Sequence, residues 1–487
     1  MRIFSFTKSS DSFSGNALKI VSGTVIAQAL GVLVTPIIAR LFAPEAFGLV
    51  AIFLSTTGIM GAIVCLRYEF AIMIPESNEE AANILGVSLL SVIIMTSLSA
   101  LLVSLGSKQI IGLLNTPELK DYLWLVPVTI FSQGLFAALT YWSSRTKHFG
   151  RLSVARIVSS LTTQTAKLAA GFAGFVGGGI LIGTSVLGSI VASGTLGGQI
   201  WRDDKKLFLD HIRWQAISRG CVRFKKFPLI DTWGALMNSI SWQLPALMLT
   251  CFFSTAIVGY YALGLAIIKA PLDIISGALS QVFYQKACDE KNIRGNNGEL
   301  VEKLMESLIF IGLLPIMVLA IVGEEVFTVI FGDRWLEAGR YTQILTPWIF
   351  VWFVSSPLGV LFSVYEKQGS ALFVHSLVLV SRIISLYIGG YYKNIYLALG
   401  LFSATGVIAY GFVAVWNIRL SRANGLRIIF SLMKYALYSL PLCLSLFVLK
   451  YTFQSGRVVI LSSALAMGIL YLIVFRHKCI QLLSIGK

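Results

Sequence analysis

The sequence predicts an all-α polytopic membrane protein, and three observations carry that prediction. Apolar stretches of about 20 residues, enough for a helix to cross a bilayer core about 30 Å thick, recur along the whole chain. Hydrophobic residues make up 56% of its 487 positions and charged residues only 13%. Soluble domains carry about 25% charged residues, so too little polar surface is left to cover a water-soluble particle. Third, Lys and Arg gather in alternate hydrophilic gaps.

About fourteen transmembrane helices are read from the apolar pattern. The first six cover 16–41, 46–66, 82–106, 122–141, 156–175 and 178–200. Gln164 and Lys167 interrupt the fifth, and the sixth is rich in glycine. Beyond a hydrophilic connection come 231–254, 257–283, 304–330, 341–365, 371–390 and 394–417, then 429–450 and 457–476. The expected organisation is an N-terminal lobe at 1–200, a basic cytoplasmic connection at 201–230, a second lobe at 231–420, and two further helices with a tail at 421–487. The apolar run after MRIFSFTKSSDSFSG is too long for a signal peptide and reads as an uncleaved first span.

Cytoplasmic loops are enriched in Lys and Arg. With the N-terminus inside, inner segments collect 27 of the 39 and outer loops only 7. Both termini are therefore expected in the cytoplasm. The net charge of +16 is explained by this topology. No aromatic-and-basic module accompanies it, so nucleic acid is not an expected partner.

The connection WRDDKKLFLDHIRWQAISRGCVRFKKFPLI mixes apolar and basic residues at loosely helical spacing. It reads either as a helix on the anionic inner leaflet or as a charged loop between lobes. A weak internal repeat pairs Gly48 with Gly259 and Pro36 with Pro245, at separations of 211 and 209 residues. Two six-helix halves in one orientation would produce it, and so would chance similarity among apolar helices.

Charges inside a bilayer are costly and usually face a cavity or a partner. The embedded cations are Arg40, Lys167, Lys269, Arg382 and Lys434. The one clear embedded acid is Asp273, a helical turn from Lys269, and Asp231 lies near a span end. Several cations with few acids favour an anionic substrate such as a phosphate or pyrophosphate. Arg40 and Lys434 lie near span ends, where snorkelling to the interface explains them equally well. Gln28, Gln164, Asn238, Trp242 and Gln243 are candidate contacts for sugar hydroxyls, or interhelical glue. His375, seven residues before Arg382, shares roughly its face.

Six widely separated cysteines include no C-x-x-C, so neither zinc nor redox chemistry is expected. No G-x-S-x-G, Walker-A loop or DxxD cluster appears, which argues against an enzyme or a nucleotide-driven motor.

Several segments together resemble a known family. ARLFAPEAFGLVAIFLS and RYEFAIMIPESNEEAANIL resemble the opening of bacterial oligosaccharide flippases, the O-antigen, capsule and exopolysaccharide translocases of the multidrug/oligosaccharidyl-lipid/polysaccharide exporter superfamily. VGYYALGLAIIKAPLDIISGALSQVFYQKA and FGDRWLEAGRYTQILTPWIFVWFVSSPLG are similar to its eighth and tenth helices. The resemblance implies two six-helix lobes in a V, plus two C-terminal helices. It implies alternating-access translocation of an undecaprenyl-pyrophosphate-linked oligosaccharide for surface polysaccharide or lipopolysaccharide synthesis. An H+ or Na+ gradient is the implied drive, as in an antiporter, with Asp273 and Asp231 as candidate coupling acids and no other cofactor. Membrane lipids and the polysaccharide polymerase and chain-length machinery are the implied partners. Arg67, Tyr68 and Glu69 match a motif that serves gating or packing. A cation-coupled drug exporter of the same superfamily is the alternative, and a membrane glycan polymerase or ligase a third reading.

Overall fold

The computed structural model describes residues 13–452 and 456–475, and among these it is helical throughout, without strands. Fourteen long helices stand at the fourteen predicted places. They are α1 (Phe13–Leu41), α2 (Pro44–Gly61), α3 (Asn78–Leu114), α4 (Leu125–Arg145), α5 (Phe149–Phe172), α6 (Gly178–His211) and α7 (Thr232–Phe252). Then follow α8 (Thr255–Arg294), α9 (Gly298–Phe331), α10 (Leu336–Ser355), α11 (Gln368–Tyr391), α12 (Ile395–Ser421), α13 (Gly425–Tyr451) and α14 (Arg457–Val474). The all-α polytopic class is borne out.

The number of crossings is smaller by composition. Eleven helices are long and apolar enough to cross a membrane. The three helices outside that set are α5, α7 and α14. Arg151, Arg156, Gln164 and Lys167 dilute the apolar character of α5, and the apolar part of α14, Arg457–Tyr471, is short. The expectation that both termini are cytoplasmic falls on residues 1–12 and 476–487, outside the described residues, as does Cys479.

Local signals set the helix ends. Ser77 accepts the Glu80 N–H at 3.2 Å, and the Asn394 side chain accepts the Leu397 N–H at 3.0 Å, each satisfying an orphan donor of a first turn. Gly295, at φ 72°, ends α8 in the left-handed conformation that costs glycine least.

The chain divides into two compact units, residues 1–42 with 49–243, and 43–48 with 244–487. In the first, α1 packs along α5, α5 on α6, and α4 on both α3 and α6. Trp142, Ile52, Phe53, Ile72 and Ile84 are fully buried there. The connection forms a ten-residue helix, Trp214–Arg223, laid against the start of α3. The Tyr68 hydroxyl donates to its Cys221 carbonyl at 3.1 Å, and Arg223 pairs with Glu80, while Trp214 and Val222 stay exposed.

In the second unit, α9 packs on α10, α10 on α12, α12 on α11, and α13 and α14 cover α9. Trp335, Trp348, Phe353, Phe402 and Tyr435 fill its centre. Many large apolar side chains remain outward, among them Leu426, Leu437 and Leu465. In a protein solvated by hydrocarbon these complete the lipid-facing surface.

The two glycines of the weak repeat meet each other. A Cβ on Gly48 would lie 1.8 Å from the Thr255 carbonyl oxygen, and one on Gly259 would lie 1.9 Å from that of Pro44 and 3.0 Å from the Gly48 nitrogen. Backbone approaches backbone here, so no side chain can give way. Gly259→Ala is therefore expected to destabilise by about 1–3 kcal/mol through overpacking. Gly277→Ala, on the same helix with nothing within 4 Å, is the neutral control. Thermal unfolding of the two purified variants side by side checks this.

Candidate substrate site

The second unit holds two of the predicted cations in different settings. Lys269 on α8 donates to both oxygens of Asp273, at 2.7 and 2.6 Å, and lies 4.7 Å from the Trp352 ring centroid on α10. The side chains are 26% and 40% exposed, so the protein encloses this pair only in part. Arg382 on α11 is 3% exposed. Its guanidinium lies 5.6 Å from the ring centroids of both Trp348 and Phe402, and it donates to the Tyr410 hydroxyl at 3.4 Å. Aromatic faces carry negative quadrupole charge and stabilise a cation out of water. His375 is exposed rather than sharing this enclosure.

In the first unit, α5 turns a stripe of residues at 156, 160, 164, 167 and 171 toward α1. Arg156 donates to the Thr24 hydroxyl, Ser160 donates to the Ala27 carbonyl at 2.9 Å, and the Gln164 amide lies against Gly31. Lys167 sits half-buried on that stripe, and no described acid pairs with it. Arg40, in the last turn of α1, is exposed, as is Gln28.

The remaining predicted residues are spread widely. Asn238 and Asp231 are exposed, Trp242 and Gln243 half-buried, and the Gln243 amide lies against Gly58. Arg67 stacks 4.0 Å from the Phe70 centroid, and its guanidinium is 3.8 Å from Glu69. Arg67 adopts φ 64°, Glu69 is buried, and Phe70 packs 4.7 Å from Tyr141. Burial pushes the Glu69 carboxyl above the usual carboxylate range, against the lowering effects of a backbone hydrogen bond and of Arg67.

Three groupings escaped the sequence reading. A cavity of about 290 Å³ in the first unit is lined by Gln133 and by hydroxyls from three helices, including Ser132, Ser159, Thr163, Ser185 and Ser189. Hydroxyls spaced four apart on α5 and on α6 were the available signal. Arg151, 9% exposed, pairs with Asp203 at 2.9 Å and Asp204 at 3.1 Å, and Trp142 donates to Asp204 at 2.9 Å.

The third grouping is an ion pair buried within the second unit. Lys450 and Glu325 form a pair at 3.1 Å with side chains only 10% and 11% exposed. Lys450 also donates to the Ile321 carbonyl at 2.7 Å, which accepts from Gln343 at 2.9 Å. Val322, beside that carbonyl, has non-helical angles and kinks α9. Partners 125 residues apart in sequence leave no local signal. Among the described residues no cluster of three or more His, Cys, Asp or Glu could hold a metal.

Residues 37–340 match the polysaccharide biosynthesis protein family. Among solved structures, the lipid II flippase MurJ in an inward closed conformation superposes with a TM-score of 0.76 at 14% identity, covering 94% of this chain and 99% of that one. An inward-facing multidrug resistance MATE family transporter of the MOP superfamily gives 0.60 at 14%, covering 85% and 96%. A MATE structure in a bent conformation gives 0.56 at 14%, covering 86% and 97%. At these identities the likeness is one of fold. Among curated proteins, none matches the sequence.

Removing one member of a buried pair strands a charge, at a cost of about 3–5 kcal/mol, whereas an apolar pair of similar volume is often neutral. Lys450→Met is therefore expected to lower the unfolding midpoint sharply, and Lys450→Met with Glu325→Leu to recover most of the loss.

Proposed function

This chain belongs to the polysaccharide biosynthesis protein family, and on that premise we propose that it flips an undecaprenyl-pyrophosphate-linked oligosaccharide repeat unit across a bacterial inner membrane. The product would feed O-antigen, capsule or exopolysaccharide assembly, alongside the polymerase and chain-length machinery. Both termini lie in the cytoplasm in this reading.

The observation that carries the proposal is a basic side chain placed within a helix of each unit, Lys167 in the first and Arg382 in the second. A doubly charged pyrophosphate needs such groups once it leaves water, and charge-assisted hydrogen bonds are the strong kind. Lys269 and Arg40 supply further positive charge. The glycan would meet Gln28, Gln164, Asn238, Trp242, Gln243 and the hydroxyls around Gln133, while the polyprenyl tail stays in lipid. Loading occurs from the cytoplasmic side and release on the other, by alternating access.

Multidrug transporters share the fold, so fold alone does not choose the cargo. An exporter of organic cations calls for carboxylates without cationic partners in its substrate path. Here Asp273 and Glu325 are each paired with a lysine. Charge therefore favours the anionic lipid.

Deleting the gene is expected to abolish surface polysaccharide and to trap lipid-linked repeat units on the cytoplasmic leaflet. Complementation with Lys167→Gln or Arg382→Gln should transport about tenfold less or worse, because a hydrogen bond to a charged group contributes about 1.5–3 kcal/mol. Full polymer from both variants, at matched levels of folded protein, would overturn the reading.

Lys269 and Asp273 also place a titratable pair within one helical turn. In this scheme protonation of Asp273 releases Lys269 and couples transport to the proton gradient. Asp273→Asn should make flipping in proteoliposomes indifferent to an imposed pH gradient. A variant that still responds as the wild type does would remove Asp273 from the coupling.

A further inference from the structure

The first turns of α9 and α13, in the second unit, enclose a cavity of about 660 Å³. That is within the range of small-molecule sites. Its lining is unusual for the end of two membrane helices. Three carboxylates, Glu299, Glu302 and Glu306, face three cations, Lys303, Arg427 and Lys434. The formal charges cancel, so the cavity suits neither a simple anion nor a simple cation.

These charges differ in how firmly they are committed. Glu302 accepts the Asn424 N–H at 2.7 Å and pairs with Arg427 at 3.1 Å, tying the turn before α13 onto α9. Lys303 pairs with Glu299 at 2.7 Å, but the two side chains are 66% and 59% exposed. Such exposed pairs contribute little and exchange readily. Glu306 accepts the Tyr435 hydroxyl at 3.0 Å. The exposed Lys434 ammonium lies 5.4 Å from the Tyr435 ring centroid.

Depth identifies the occupant. Glu306 is eight residues beyond Gly298 and Lys434 nine beyond Gly425, about 12–14 Å along the helix axes. Helical side chains lean toward the N-terminus of their helix, so both lean back toward the headgroup layer. Leu426 and Phe430, also lining the cavity, are strongly exposed beside it and offer an acyl chain an apolar wall.

We propose that this cavity binds the headgroup of a zwitterionic phospholipid bearing a primary ammonium, phosphatidylethanolamine in kind. Lys303 and Lys434 take the phosphate, and Glu299 and Glu306 take the ammonium. A choline headgroup has no N–H to donate to the carboxylates, and a glycerol headgroup has no cation. The proposal does not depend on the identity of the cargo.

The test is the thermal unfolding midpoint of the full-length protein in nanodiscs containing phosphatidylethanolamine, phosphatidylcholine or phosphatidylglycerol. The first lipid should raise the midpoint by several degrees over both others. Glu306→Gln and Lys434→Gln should each erase that advantage while keeping the wild-type midpoint in phosphatidylcholine. Because Glu306 also holds Tyr435, the exposed Lys434→Gln variant keeps the test sound if Glu306→Gln folds poorly. Soluble glycerophosphoethanolamine, added to detergent-solubilised protein, should give little or no protection. Protection equal to that of the lipid would instead assign the cavity to a free metabolite. Equal midpoints in all three lipids, or an advantage that survives Lys434→Gln, would overturn the proposal.

Discussion

Hydrocarbon offers a buried polar group no water to bind, and this constraint orders the rest of the molecule. Backbone amides must be satisfied within each crossing segment, which leaves helices as the structural unit. Charged side chains face the same demand, and the protein meets it in several ways. Lys450 is paired with Glu325 and also caps the carbonyl beside the α9 kink. Arg382 is enclosed by aromatic faces and a tyrosine hydroxyl. Lys269 is held by the acid one turn away on its own helix.

The difference between these settings bears on chemistry. The Lys450–Glu325 pair is closed off and joins α13 to α9 at a break in the α9 backbone, which suits a brace. The Lys269–Asp273 pair is partly open, and its partners share one helix. Lys167 stands among polar neighbours that serve the packing of α5 on α1.

Much of the architecture was legible along the chain, because span length and apolar run length report the same bilayer thickness. The pairing of Lys269 with Asp273 was equally legible, since a spacing of four places two helical side chains together. The Lys450–Glu325 pair was not, because its partners stand 125 residues apart on different helices. The hydroxyl cavity near Gln133 was only half legible. Its spacing pattern lies on separate helices, and hydroxyls in apolar helices usually bond to their own backbone, as Ser132 and Ser185 do.

By itself the sequence determined that this is a polytopic helical protein, because hydrophobic length is a property of single segments. Only the tertiary structure decided what each charge meets, that Gly48 and Gly259 touch, and that the charges at the starts of α9 and α13 close around one cavity. Those are contacts between residues far apart in the chain, and helix packing, rather than local composition, brings such residues together.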